Sequence, residues 1–534
     1  MYDLVIKKGS IIDGSGKKSF VGDIGIAAGT IREIADDLQA NGKKEINAEG
    51  YVVCPGFIDI HSHSDFTLLI NPRAESKIRQ GITTELVGNC GFTAAPVNQA
   101  YFTELMHYLV NTVILDQDEK NEWNWPTQRD FIGKIEEKGT AVNIASLVGH
   151  GTLRVAVMGL AKREASRIEL NTMRKMLEKE MQSGIIGLST GLEYIPGSYA
   201  TWNELVELTE VVAKYNGIYT THLKSEGDYL IKCISEAIEI ADKSKVSLEI
   251  SHLKAAGSLN WGKVSDAVKM IEQARQNGVK VDFDLYPYLA FGSGLLDLLP
   301  PWARENLAIL QDKELRKKVL NEMKNGKEGW ENPMLGANWN MVKIASLKTT
   351  KNKQYEGLAI KQIAEKMGCS PEQAVLKLLT EEQGAVKMIF WAMCEQDLNF
   401  LIKHPLAMFC TDGRAVAPYG KLAAGKIHPR YYGSYPRLLG YYVREKGLLT
   451  LEEAIRKMTS LPARKLNLKD RGLVKHGYQA DLTIFKEEEV TDLASYQDPH
   501  QYPRGIEYVL VNGEVVIAEG EHTGKLPGKF LSPT

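Results

Sequence analysis

The most constraining feature of this sequence is a texture repeated along its middle, a short apolar run of strand length followed by a helical stretch. The runs are GFIDIHSH from Gly56, TTELVGNCG from Thr83, AVNIASLVGHG from Ala141, GIIGLSTGLEY from Gly184, GIYTTHLKSE from Gly217, VSLEISHLKAAG from Val246, VKVDFDLYPY from Val279 and PLAMFCTDGR from Pro405. Helical stretches such as RIELNTMRKMLEKEMQSG and SDAVKMIEQARQNG separate them. Strand then helix, eight times over, predicts an α/β chain folded as a (β/α)8 TIM-like barrel. A further run, AVKMIFWAMCE from Ala385, also reads as a strand and is one too many. Residues 291–351, with Pro300-Pro301 and three Trp, break the repeat and read as an insertion.

The two chain ends have a different texture. Short apolar runs alternate with Gly or Asp turns in the first 50 residues, and again in KHGYQADLTIFK and GIEYVLVNGEVVIAEGEHTG. Asn512-Gly513 between two Val-rich runs is a two-residue hairpin signal. Neither end has enough strands to stand alone, so both are expected to pair into one small β-sandwich domain. The expected organisation is residues 1–54 and 466–534 as the two parts of the sandwich, around a barrel at 55–465. A length of 534 residues would otherwise suggest three or four domains.

Sixty-five basic against sixty-seven acidic residues leave a net charge of −2, with no long run of one sign. Nothing in that balance points to nucleic acid or a membrane surface, so the expected partner is a small molecule. No window of 18 apolar residues and no signal peptide is evident, and the six cysteines form no CxxC pair. They read as reduced thiols of a cytoplasmic protein, each a small buried hydrophobe apart from Cys90. Oligomeric state is open.

Catalytic groups of such barrels sit where strands end and the following loops begin. Those ends carry His61 and His63, Cys90, Tyr194, His222, His252, Tyr286 and Asp412. Alternate strand residues face one side, so His61 and His63 should point together into the barrel mouth. Imidazole and thiolate donors suit zinc, at about 2.0–2.1 Å and about 2.3 Å. Six candidate ligands exceed the three protein donors of one catalytic zinc. Either two ions share the cluster or some residues are not direct ligands. Asp412, in CTDGR, is the carboxylate placed to move a proton for a metal-activated water. Its alternative role is to cap a turn before the loop. His150 reads as a packed core residue, and His107, His404, His428, His476, His500 and His522 as surface or loop positions.

His61-Ser-His63 on the first strand, single His on the fifth and sixth, and Asp on the eighth resemble the amidohydrolase superfamily. Many of its members bridge two metals with a carboxylated Lys on the fourth strand, but GIIGLSTGLEY has no Lys. GNCGF, STGLEYIPG, THLKSE, SHLKAAG, DLYPY, TDGR and HPRYYGSYPRLLG together resemble the N-acyl-D-amino-acid deacylases, or D-aminoacylases, across essentially the whole chain. That resemblance implies one tightly bound zinc on Cys90, His222 and His252, with His61, His63 and Asp412 lining a second, weaker position. It also implies that Tyr194, Lys254 and Tyr286 hold the substrate carboxylate, with Arg430 a weaker candidate. Lys224 stands where some relatives have Arg, and Thr411 where Ser is frequent.

The expected activity is hydrolysis of an N-acyl-D-amino acid to a carboxylate and a free D-amino acid, with Asp412 as base and then acid. A hydantoinase- or dihydroorotase-type cyclic-amide hydrolase is the alternative within enzymes, weakened by the missing Lys. A non-catalytic scaffold of the same fold is the alternative outside them, and it would be expected to lose metal ligands.

Overall fold

The computed structural model describes residues 1–39, 42–109, 123–304 and 306–533. Eight parallel strands form the barrel: β1 (Phe57–Asp59), β2 (Ile82–Val87), β3 (Asn143–Gly149), β4 (Gly187–Gly191), β5 (Ile218–His222), β6 (Ser247–Ile250), β7 (Val281–Leu285) and β8 (Ala407–Phe409). Neighbours in sequence are neighbours in the sheet, except that β8 follows β7 only after the inserted segment. Closure comes just beyond the strands, where Ser62 bridges Gly413 and the Tyr435 hydroxyl reaches the carbonyls of Ile58 and Phe409, each at 2.8 Å.

These strands are buried at nearly every position because both faces are covered, with Asp59, Glu85 and Asp284 among their apolar residues. Phe57, Leu188, Tyr219, Leu248, Val281, Phe283 and Phe409 pack outward against the helices. Ile58, Leu86, Leu147, Ile186, Ile218 and Met408 fill the interior. Helix starts follow local signals: Ser166 and Glu169 form a capping box at Arg167–Gln182, and the Thr201 side chain accepts from Glu204 N–H at Trp202–Lys214.

Strands from both chain ends share one nine-stranded sheet, joined where Leu482–Phe485 pairs antiparallel with Val52–Pro55. Ile6, Ile24, Ile26, Val53, Leu482, Ile484 and Leu510 form its common core. The C-terminal tail then runs back to the barrel. Ile144 N–H donates to the Lys529 carbonyl at 2.9 Å, and Leu531 enters the barrel's interior cluster.

The inserted segment has its own three-stranded antiparallel sheet, Phe291–Gly294, Lys387–Phe390 and Val342–Ser346, over a core including Leu298, Val319, Ile363 and Leu378. It therefore extends past residue 351 to Phe390. The surplus strand within AVKMIFWAMCE belongs here, because its hydrogen bonds go to the segment leaving β7 rather than to a barrel neighbour. Among the described residues, no helix is long and apolar enough to cross a membrane.

Candidate metal centre

The C-terminal ends of the strands bring the predicted ligands together. His61 and His63 follow β1, Cys90 follows β2, His222 ends β5, His252 follows β6 and Asp412 follows β8. Cys90, His252 and Asp412 hold φ of 55°, 34° and 43°, in the left-handed region that is uncommon for non-glycine residues. GNCG suits the turn around Cys90. Gly88 has φ +83°, and a Cβ there would stand 2.6 Å from the Leu147 carbonyl, so only glycine lets this loop lie against β3.

Two triads share the Cys90 sulfur. His61, His63 and Cys90 form one, and Cys90, His222 and His252 the other, with the donor atoms of each within 4.8 Å of one another. Cys90 Sγ lies 3.2 Å from His61 Nε2 and 3.6 Å from His252 Nε2. His222 Nδ1 lies 3.0 Å from His252 Nε2. Asp412 Oδ1 stands 3.3 Å from His63 Nε2 and 3.7 Å from His61 Nε2, while its Oδ2 is 2.9 Å from the Arg430 guanidinium.

Every histidine also has a carboxylate neighbour. His222 turns Nε2 to Glu193 at 3.2 Å, and His252 turns Nδ1 to Glu226 at 2.8 Å. His61 Nδ1 faces Asp284 at 3.5 Å, and Asp284 Oδ1 also accepts His252 N–H at 2.9 Å. Such partners set tautomer and ring direction, leaving Nδ1 of His222 and Nε2 of His61 and His252 for a metal. Zinc fits this mixed nitrogen and sulfur set. Sequence reasoning missed Glu193, Glu226 and Asp284. The available signal was proximity, since each lies within a motif already singled out, LEYIPG, THLKSE or DLYPY.

The charges of the cluster are mutually dependent. Burial opposes ionisation of Cys90, yet His61, His222 and His252 hold its thiol well below the usual range. Burial likewise disfavours imidazolium at His222, but Glu226 and Cys90 push it up to about 10. Asp412 is held well below the carboxylate range despite burial, chiefly by Arg430 and His63.

The predicted carboxylate-binding residues surround this cluster. Tyr286 is 3% exposed, its hydroxyl has no hydrogen-bond partner, and Arg430 lies over its ring at 4.5 Å. Lys254 is paired with Glu226 and stands 3.0 Å from His252 Nδ1. Tyr194 packs against the His222 ring at 4.9 Å.

His428, read from the sequence as a surface or loop residue, lies in a loop but is buried, 3% exposed. Its Nε2 lies 2.9 Å from the Ala290 carbonyl, and its Nδ1 accepts Arg430 N–H at 3.0 Å, so the loop after β8 folds inward and buries it. His150 opens the helix His150–Met158 and is buried 2.8 Å from Glu204, which also pairs with buried Arg154. Glu204→Ala would leave Arg154 buried without its countercharge. The expected cost is about 3–5 kcal/mol, read as a lower urea midpoint.

A model of the amidohydrolase family matches residues 44–285 and 401–517. The chain is 32% identical to a D-aminoacylase of Alcaligenes xylosoxydans xylosoxydans, covering 100% of this chain and 98% of that protein. A crystal structure of N-acyl-D-glutamate deacylase from Bordetella bronchiseptica, complexed with zinc and a phosphonate mimic of the reaction's tetrahedral intermediate, aligns with a TM-score of 0.81 at 29% identity over 99% of both chains. A D-aminoacylase structure described for its binuclear metal centre, with one-metal activation and second-metal attenuation, aligns with a TM-score of 0.82 at 30% identity over 100% of both.

Proposed function

The chain belongs to the amidohydrolase family, and on that premise we propose that it is a zinc-dependent N-acyl-D-amino-acid deacylase. It hydrolyses a linear amide to a carboxylate and a free D-amino acid. One observation carries this reading: the Cys90 sulfur stands between two histidine groups, with the other ring nitrogens of His61, His222 and His252 facing carboxylates, in a chain similar along its whole length to D-aminoacylases. The absence of Lys from GIIGLSTGLEY removes the bridge on which cyclic-amide relatives usually depend. Retention of all six ligand positions counts against a scaffold.

Cys90, His222 and His252 would hold zinc tightly, and His61, His63 and Asp412 would line a second, weaker position. Zinc supplies Lewis acidity toward the amide carbonyl and lowers the pKa of water. Asp412 then takes the proton of the attacking water at Oδ1 and returns it to the departing nitrogen. Arg430, on Oδ2, keeps that carboxylate charged and aimed. The unpartnered Tyr286 hydroxyl, with Lys254, Tyr194 and Arg430, would receive the substrate carboxylate, whose desolvation needs cations and hydroxyl donors. Residues 55–465 would be the catalytic unit, 1–54 and 466–534 its support, and the cytoplasm its setting.

A panel of N-acetyl-D- and N-acetyl-L-amino acids, with zinc measured on the same preparation, tests the reading. Turnover of D substrates by zinc-loaded protein is expected, and zinc-loaded protein inert toward all of them would sink it. Lys254→Met should raise KM by about 10- to 100-fold, the worth of one charge-assisted hydrogen bond, with a smaller change in kcat. Steady-state kinetics on a good D substrate would show it.

Zinc binding should also depend on pH. His222 holds its proton up to about 10 in the metal-free protein, so an entering ion must expel it. Affinity is therefore expected to rise with pH, with protons released on binding. Zinc titrations at pH 6 and pH 8 in two buffers of different ionisation enthalpy would show both effects.

A further inference from the structure

At the seam between β1 and β8, beside the metal centre, lies a buried polar network built on Lys77. Lys77 sits in the short helix Glu75–Ile78 and is 0% exposed. Its ammonium stands 2.8 Å from Asp59 Oδ2 and 3.1 Å from Glu85 Oε2. It also reaches Thr411 Oγ1 at 2.7 Å, the Gly413 carbonyl at 3.1 Å and Ser62 Oγ at 3.1 Å. Thr411 and Gly413 are the residues on either side of Asp412, and Ser62 lies between His61 and His63.

The rest of the network ties the same two segments together. Asp59 accepts both the backbone N–H of Thr411 at 2.9 Å and its hydroxyl at 2.6 Å. Glu85 accepts the hydroxyls of Ser62 and Ser64, and Ser64 Oγ accepts Ala415 N–H at 2.8 Å. Asp412 N–H donates to the His61 carbonyl, and His63 N–H to the Gly413 carbonyl, each at 2.9 Å. Asp412 keeps its left-handed φ of 43° only while its flanks are held.

We propose that Lys77 is a positioning residue: through Thr411 and Gly413 it fixes Asp412 against His61 and His63, and so sets the second half of the metal centre. His222 and His252, at the ends of β5 and β6, lie outside this network. Three buried charges are an expensive way to join two strands if apolar packing would serve. What apolar side chains could not do is grip a hydroxyl and a carbonyl on both sides of one catalytic carboxylate.

The inference rests on the deacylase reading for its kinetic arm, and zinc titration provides an independent one. The variants are Lys77→Met, Thr411→Val, which keeps all three charges, and Thr411→Ser, which restores the hydroxyl. Thr411→Val is expected to lower kcat by about 10- to 100-fold with KM within about twofold, as outer partners of metal ligands do. A second zinc should bind at least about tenfold more weakly and the first unchanged, and Thr411→Ser should recover both. Lys77→Met should repeat the pattern more strongly, and if it does not fold the Thr411 pair decides. Folded Thr411→Val with normal kcat and normal second-zinc affinity overturns the proposal, as does a Thr411→Ser no better than Thr411→Val. Wild-type protein without turnover overturns the deacylase reading instead and leaves the second-zinc affinities to judge Lys77. Wild-type protein that binds one zinc and turns nothing over defeats both.

Discussion

Cys90→Ala should abolish tight zinc binding and lower turnover by at least about 1,000-fold. The sulfur belongs to both triads, so its loss removes a donor from each at once. Loss of an outer partner alone commonly costs 10- to 100-fold in metal affinity or activity, and Cys90 is placed to be a direct ligand. A thiolate also contributes charge: its removal takes away the negative donor that would offset an incoming cation. The measurement is zinc content after dialysis, with kcat on the same sample. Cys90→Ala protein that kept stoichiometric zinc and wild-type turnover would falsify the assignment of Cys90.

Asp412→Asn should lower kcat by roughly 100- to 10,000-fold, the usual worth of a positioned general base, with KM changed far less. The amide keeps the shape of the side chain and its contact with Arg430 but cannot take up the proton of an attacking water. Zinc on Cys90, His222 and His252 should stay, which separates this variant from Cys90→Ala. If kcat survived within about threefold, Asp412 would be a turn-former and the base would lie elsewhere. That outcome would revive the capping role that any Asp-Gly in a loop can have.

The six candidate ligands were readable because barrel chemistry collects at strand ends, and strand ends show in sequence as the last polar residue of an apolar run. Asp284 lay inside such a run, two residues before Tyr286, and passed as part of the strand. Its role follows from facing His61 across the barrel interior, a relation between β1 and β7 with no signature along the chain. Lys77 was equally silent. A lysine in a short helix ordinarily reads as a solvated one, and only the closing of β8 onto β1 makes it fully buried. His428 stands in a loop, one of the two placements read from the sequence, and only the structure shows that loop folding inward. Thr411, read as an ordinary exchange for Ser, proved to be a hub, and either residue supplies the hydroxyl it needs.

Alternation of apolar runs with helical stretches was enough to determine the barrel, because period and length are local properties that each segment carries with it. It also determined which residue types stand at the mouth, and hence that nitrogen, sulfur and one carboxylate could meet there. The partnering of those residues was decided by the tertiary structure alone. Which nitrogen of His61, His222 and His252 faces the centre depends on a carboxylate from elsewhere in the barrel, and Asp412 takes its place through a lysine more than three hundred residues away in sequence. Such pairings depend on distances across the barrel, which exist only once the eighth strand has met the first.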